Sequence, residues 1–267
     1  MNEKLVKLKE WFKNRNGVLV AFSGGVDSAL LLKVAHDVLG DRVLAVTANS
    51  PLNTPEEKEI AIKVAQGIGA KHLVIEFNDL DNPLVSSNPV ERCYYCKKSR
   101  FEAMLEIALQ RDLETVVEGS NLDDLKDYRP GLKAVKELEI ASPLEEVGFT
   151  KAEVRQGARE LGLSVWNKPS EPCLATRIPF NIEITQEKLK RVMVAERLLK
   201  NNLQITQLRV RDHNGLARVE VETKDLDKAF LKREDIVKIL KAEGFTYVTM
   251  DLSGYRTGSM NQTGGEV

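Results

Sequence analysis

Leu5, Leu8, Trp11 and Phe12 recur at three- and four-residue spacings over residues 3–14, the stripe of one apolar helix face. The apolar run VLVAF (18–22) then predicts a buried strand, SGGVDS a tight turn, and ALLLKVAHDVLG a helix that stops at Gly40. VLAVTAN (43–49) predicts the next strand and completes a β-α-β unit. The alternation continues through a helix at 54–68 closed by Gly67 and Gly69, a strand at 72–77, a helix near 96–111 and a strand at 115–118. Repeated alternation of this kind implies an α/β fold with a doubly wound parallel sheet.

A further helix at 150–161 ends at Gly162, and NKPSEPCLATRIPFN (167–181) carries three prolines and little periodicity, so it reads as a loop or linker. Beyond it the pattern changes. A helix at 185–200 is followed by QLRVRDHNGLARVEVE, in which two alternating runs flank Asn214-Gly215, a strong hairpin signal. A helix at 225–243 and a strand YVTMDL complete the chain's pattern, with no internal repeat. The boundary falls near residue 180, dividing an α/β domain (1–180) from a smaller α+β domain (181–267).

With 267 residues, 42% hydrophobic and 30% charged, the composition is that of a globular protein and excludes disorder as a global description. No apolar run approaches the ~20 residues of a membrane span, so no membrane partner is expected. The N-terminal MNEKLVKLKEWF interleaves charges with apolar residues, unlike a secretory signal, which leads to the expectation of a cytoplasmic location. The 39 basic and 40 acidic residues leave a net charge of -1, which supplies no field for long nucleic acids but leaves small anionic substrates open.

Ser23, Gly24 and Gly25 stand between a buried strand and a helix, where backbone N–H groups and the helix start favour an anion. The turn lacks both the GK[ST] ending of a P-loop and the spacing of a dinucleotide fingerprint. It resembles instead the signature of the PP-loop ATP pyrophosphatases, of adenine nucleotide alpha hydrolase-like fold. That resemblance implies ATP and Mg2+, with Ser23, Gly24, Gly25, Asp27 and Ser28 around the pyrophosphate and Asp27 helping to hold the metal. It also implies that Thr47 to Asn49 border the adenosine and that EGSNLDD (118–124), with Gly119, forms a second nucleotide-side segment. Arg129, beside Pro130 and Gly131, either orders a loop over ATP or forms a structural salt bridge.

Cys93 and Cys96 form CYYC at a helix start, and Cys173 lies in the proline-rich loop. Three cysteines in a reducing compartment favour metal ligation or reactivity over disulfides, and three thiolates leave a zinc ion or iron-sulfur cluster one protein ligand short. DYRPGLKA (127–134), WNKPSEPCLATRIPF (166–180), LRVRDHNGLARVEV (208–221) and YVTMDLSGYRTGSMN (247–261) resemble the LarE family of sulfur transferases over nearly the whole chain. The resemblance implies adenylation of the carboxylates of pyridinium-3,5-biscarboxylic acid mononucleotide and their conversion to thiocarboxylates for the nickel-pincer nucleotide cofactor. Family members with one cysteine in the Cys173 loop give up its sulfur and become dehydroalanine, whereas this chain adds Cys93 and Cys96 and resembles the iron-sulfur type. A 4Fe-4S cluster on Cys93, Cys96 and Cys173, its fourth iron binding hydrosulfide from a sulfide donor, is the expected sulfur source. Cys173 and Asp27 are then the catalytic candidates, and Lys97, Arg177, Glu196, Arg209 and Arg211 the substrate contacts. A homo-oligomer is also implied.

Two rival readings remain at this level. One is tRNA thiolation by the same adenylation chemistry, which the charge balance does not support. The other is a nucleotide-regulated zinc-binding module without catalysis. His36, His72 and His213 are isolated and read as helix-surface, strand-edge and turn residues, Trp11 as core, Trp166 as core or a site wall, and the lysine-rich 224–241 as a solvated helix face.

Overall fold

The apolar stripe near the N-terminus forms α1 (Glu3–Lys13), which buries Leu5, Leu8 and Phe12; the computed structural model describes residues 3–126, 130–169, 171–256 and 260. β1 (Val18–Ala21), α2 (Val26–Leu39) and β2 (Val43–Asn49) build the first parallel unit. α3 (Pro55–Ile68), opened by a capping box between Thr54 and Glu57, leads to β3 (Lys71–Glu76). After the short α4 (Pro83–Ser86), the long α5 (Arg92–Gln110) returns the chain to β4 (Thr115–Val117). α6 (Gly131–Glu137), α7 (Pro143–Glu146) and α8 (Lys151–Glu160) follow.

The strands lie parallel in the order β3-β2-β1-β4. Neighbouring residues of β1 serve opposite faces, as the pleat requires. Val18 and Val20 join a core with residues of α1, α2, α3 and α8, while Leu19 packs with Phe101, Met104 and Ala108 of α5 and Val135 of α6. Helices on both faces make the sheet doubly wound, and the near-continuous apolar runs of β1 and β2 follow from that double burial.

The chain divides into two compact units, residues 1–78 with 91–171 and residues 79–90 with 172–267. The excursion 79–90 is held in the second unit by Asn88, fully buried in the left-handed region at φ 57°, whose Nδ2 donates to the carbonyls of Ile178, Pro179 and Ile182. The Asn181 N–H donates to the Asn88 carbonyl and the Ile184 N–H to that of Ser86.

In the second unit, α9 (Gln186–Leu203) precedes the antiparallel hairpin of β5 (Leu208–His213) and β6 (Leu216–Val221), with Asn214 and Gly215 both at positive φ as the tight hairpin turn demands. The helix expected over 225–243 is two helices, α10 (Leu226–Leu231) and α11 (Arg233–Ala242), separated by Lys232 at φ -99°, ψ 20°. α11 buries Ile236 and Leu240, whereas Phe230 and Leu231 of α10 stay exposed. β7 (Tyr247–Met250) then pairs parallel to β6, which requires a crossover of the kind the two helices supply. Among the described residues no helix is long and apolar enough to cross a membrane.

Candidate functional site

β1 connects through α2 to β2 on one side, yet its other neighbour is β4, so the strand order reverses between β1 and β4. The carboxyl ends of strands at such a switch point border the crevice where open α/β sheets take their ligands. Residues 23–25 leave β1 there and residues 118–121 leave β4.

Gly24 sits at φ 71°, and a Cβ on it would fall 2.8 Å from the Ala61 Cα, so glycine is required both by conformation and by the approach of α3. Two serines stiffen the turn. The Ser23 N–H donates to Ser28 Oγ (3.3 Å), Ser28 Oγ donates to the Gly25 carbonyl (3.2 Å), and the Gly25 N–H donates to Ser23 Oγ (3.3 Å). Gly25 caps α2 without any side-chain hydrogen bond, so no capping side chain takes the first-turn N–H groups, an arrangement that suits an anion. Gly119 seats the second loop on the first, its missing Cβ position lying 3.1 Å from both Asp27 Cβ and the Ser28 nitrogen. This turn, stiffened by its serines and leading into the uncapped start of α2, fits a pyrophosphate.

The charges around it are paired. Asp27 accepts from Asn121 Nδ2 (3.1 Å) and forms an ion pair with Lys151, the first residue of α8. A carboxylate here suits a hard divalent cation. Glu118, at the end of β4, is buried; burial by itself would raise its pKa, but the Lys97 charge and hydrogen bonds from Ser120 and Ser142 outweigh that and hold it below the usual carboxylate range. Lys97 Nζ lies 3.3 Å from Glu118 Oε2, and Gly131 makes space for the lysine, a Cβ there falling 2.7 Å from Lys97 Cδ.

Thr47 is buried at the end of β2 and donates to the Phe22 carbonyl (2.6 Å). Its one proton being committed, the contact with His72 Nε2 (2.8 Å) makes the imidazole the donor. Burial lowers the His72 pKa, which favours the neutral imidazole over the cation. Thr47 therefore ties β2 to the start of the glycine-rich turn, and His72 completes the tie from the edge strand.

Cys93 and Cys96 lie in the first two turns of α5, three residues apart and hence on one helix face; Cys93 is exposed and Cys96 half-buried. The Arg92 guanidinium donates to Cys93 Sγ at 3.6 Å. Lys97 follows directly, so one helix face presents both thiols and the partner of Glu118.

In the second unit Cys173 opens the 3-10 turn Leu174–Arg177. Its carbonyl accepts from the Thr176 N–H (3.0 Å), Thr176 Oγ1 (2.8 Å) and Arg177 Nη1 (3.2 Å). Arg177 also grips both oxygens of Glu196 (2.9 and 3.2 Å), and Glu196 Oε1 accepts from the Val210 N–H (3.0 Å). Arg209 and Arg211 share one face of β5, and Arg211 is paired with the fully buried Glu220 at 2.7 Å. Arg209 differs. It is 2% exposed, donates to the Leu208 carbonyl (2.8 Å) and lies 5.5 Å from the Tyr255 ring, but among the described residues no carboxylate comes within ion-pair distance of it. Burial first, and then the Arg177 charge, push its pKa down. Among the described residues the Glu196 carboxylate acts on Arg209 only from beyond ion-pair distance, and a buried arginine held this way is one that an anionic ligand would stabilise.

Among the described residues no group of three or more His, Cys, Asp or Glu side chains stands close enough to hold a metal ion. Cys93 and Cys96 belong to the first unit and Cys173 to the second, so the structure describes each within its own unit. Three thiols nonetheless form a donor set of the kind iron-sulfur clusters use. Arg129 lies outside the described residues. Lys151 and Ser142 did not stand out in the sequence, whereas Glu118 and Asn121 both lie in EGSNLDD (118–124), the segment expected on the nucleotide side.

The family model for NAD synthase matches residues 4–110. Over 264 residues the chain is 43% identical to an uncharacterised protein of Synechocystis sp., covering 98% of each. It is 39% identical over 252 residues to the pyridinium-3,5-bisthiocarboxylic acid mononucleotide synthase of Lactiplantibacillus plantarum, covering 94% of this chain and 91% of that one. A glutamine-hydrolysing GMP synthase polypeptide of Methanocaldococcus jannaschii is 27% identical, with 91% of this chain and 76% of the relative covered.

Proposed function

The chain belongs to the pyridinium-3,5-bisthiocarboxylic acid mononucleotide synthase (LarE) family of PP-loop enzymes, and from that membership we propose that it is an ATP-dependent sulfur transferase acting on the biscarboxylate nucleotide. The observation that carries the reading is the rigid Ser23–Ser28 turn at the β1/β4 switch point, in a chain matched along 94% of its length by the Lactiplantibacillus plantarum synthase. A carboxylate oxygen of the substrate attacks the α-phosphorus of ATP and pyrophosphate leaves, giving an acyl adenylate. A sulfur nucleophile then attacks the activated carbonyl carbon and AMP leaves, so that one oxygen is replaced by sulfur. Two carboxylates require two rounds.

Ser23, Gly24, Gly25 and Ser28 hold the pyrophosphate in this reading, and Asp27 would hold Mg2+, which when bound offsets the leaving-group charge. Lys97 and Glu118 form a charge pair at the mouth of the same crevice, with Gly119 fixing the loop between them and α2. Arg209 takes the substrate phosphate, Arg211, Arg177 and Glu196 being the framework that orients it. Cys93, Cys96 and Cys173 would hold a 4Fe-4S cluster, which when bound supplies a Lewis-acidic iron able to carry sulfide. The chain is then spared the loss of its own Cys173 sulfur, and we take it to act as an oligomer.

Anaerobic reconstitution with iron and sulfide tests the cysteine assignment. The full chain is expected to take up iron and inorganic sulfide in cluster proportion, and Cys96→Ser to lose most of that iron. Absence of iron uptake, or an iron content unchanged in Cys96→Ser, would remove the cluster from the account.

A further inference from the structure

The loop's own chemistry does not account for the cation beside Asp27. Lys151 is delivered there by local construction. A capping box between Thr150 and Glu153 starts α8 at this residue, and the Lys151 N–H donates to Asp123 Oδ2 at 2.8 Å. α8 lies against α2, with Gly157 facing Leu30. The ammonium pairs with Asp27 Oδ2 while Asn121 takes Oδ1, so both oxygens of the carboxylate are engaged. Neither side chain is sealed off, Lys151 being 33% and Asp27 22% exposed.

A divalent ion approaching Asp27 alone therefore meets a positive charge already seated on it, and the two cations repel at contact distance. With a triphosphate present the balance changes, because the ion brings its own anionic ligands and the displaced ammonium has phosphate oxygens to turn to. We propose that Lys151 is a resident counter-cation that keeps metal off Asp27 until the triphosphate arrives, and that its Nζ then moves from Asp27 to the pyrophosphate oxygens. This rests on the reading of the Ser23–Ser28 turn as the ATP site. Lysine suits the task, since its charge is compact, rides on a flexible stem and makes no bidentate fork that would lock it to the carboxylate. Lys151 thus sets when the metal can reach Asp27.

Mn2+ titration of the full chain without nucleotide, read by electron paramagnetic resonance, tests the idea. Lys151→Met is expected to bind Mn2+ about threefold to fivefold more tightly than the wild type, the scale of removing one partly exposed competing charge. Adding Asp27→Asn is expected to abolish that gain, and Lys151→Arg to keep the ion out. Lys151→Gln, which retains a hydrogen bond without charge, serves if the methionine variant fails to fold. Inorganic pyrophosphate, followed by calorimetry in the presence of Mg2+, is expected to bind about tenfold more weakly to Lys151→Met. A merely structural lysine would weaken both ligands, so Mn2+ affinity that is unchanged or lower in the uncharged variants overturns the proposal. If the wild type binds ATP while the substitutions leave Mn2+ affinity unmoved, this inference alone fails; if the wild type binds neither ATP nor pyrophosphate, the reading of the turn fails with it.

Discussion

Replacing Gly24 by alanine is expected to cost roughly 30-fold in ATP affinity at the least, and up to several thousandfold. Two penalties add. A non-glycine residue at φ 71° costs about 1–2 kcal/mol, and forcing a methyl group to 2.8 Å from the Ala61 backbone costs about 1–3 kcal/mol more, because α3 must shift or the turn must open. Either response misaligns the N–H groups that the anion needs. The neighbouring Gly67→Ala is the control: nothing lies within 4 Å of the added Cβ, and the position is inside α3, where alanine is the better helix former. Calorimetric ATP titration of the two variants should separate them sharply. Equal affinity in Gly24→Ala and wild type would mean that the turn does not carry the nucleotide.

The second large effect concerns the framework around Cys173. Glu196→Gln is expected to destabilise the second unit by about 3–5 kcal/mol, because Arg177 and Glu196 are 5% and 7% exposed at their side chains and the change takes a bidentate carboxylate away from a buried guanidinium that already feels the charge of Arg209. The loss is in charge compensation rather than in shape, since glutamine can still accept from the Val210 N–H. The double variant Arg177→Met with Glu196→Gln should therefore recover much of the loss. By contrast the exposed pair Lys7–Glu3, at 60% and 81% exposure, should tolerate Glu3→Gln with little change. Trp11 and Trp166 both lie in the first unit, so their fluorescence does not report on the second. Hydrogen exchange of residues 186–221 is the suitable measurement, with lost protection there expected in the single variant and regained in the double. Full protection in Glu196→Gln would contradict the assignment.

The elements that were legible in the chain are those whose signal is local. VLAVTAN is a strand over its whole predicted length because a central parallel strand must be apolar on both faces, and Asn214-Gly215 announces its hairpin because few other residues accept two consecutive positive φ angles. The glycine-rich turn was visible for the same reason. What escaped was decided by partners distant in sequence. Nothing near Asn88 indicates that its amide will hold three carbonyls some ninety residues on, which is what carries 79–90 into the second unit. The amphipathic run 225–243 continues across Lys232, so its periodicity gave no hint of the break between α10 and α11. YVTMDL announces a strand but not its direction, and the parallel pairing of β7 with β6 depends on the helices between them. At the candidate site, Lys151 reads as an ordinary first-turn lysine until α8 is packed on α2 and its ammonium meets a carboxylate 124 residues away.

In the proposed reaction a carboxylate is first activated by adenylyl transfer and then exchanged for sulfur that does not come from the chain itself. Its most direct test is anaerobic incubation of the full chain with ATP, Mg2+, sulfide and pyridinium-3,5-biscarboxylic acid mononucleotide, followed by mass spectrometry of both the small molecule and the protein. The expected product is a nucleotide in which sulfur has replaced oxygen, matched by AMP and pyrophosphate, with Cys173 unchanged in mass. An unaltered nucleotide without AMP, or dehydroalanine at position 173, would contradict it.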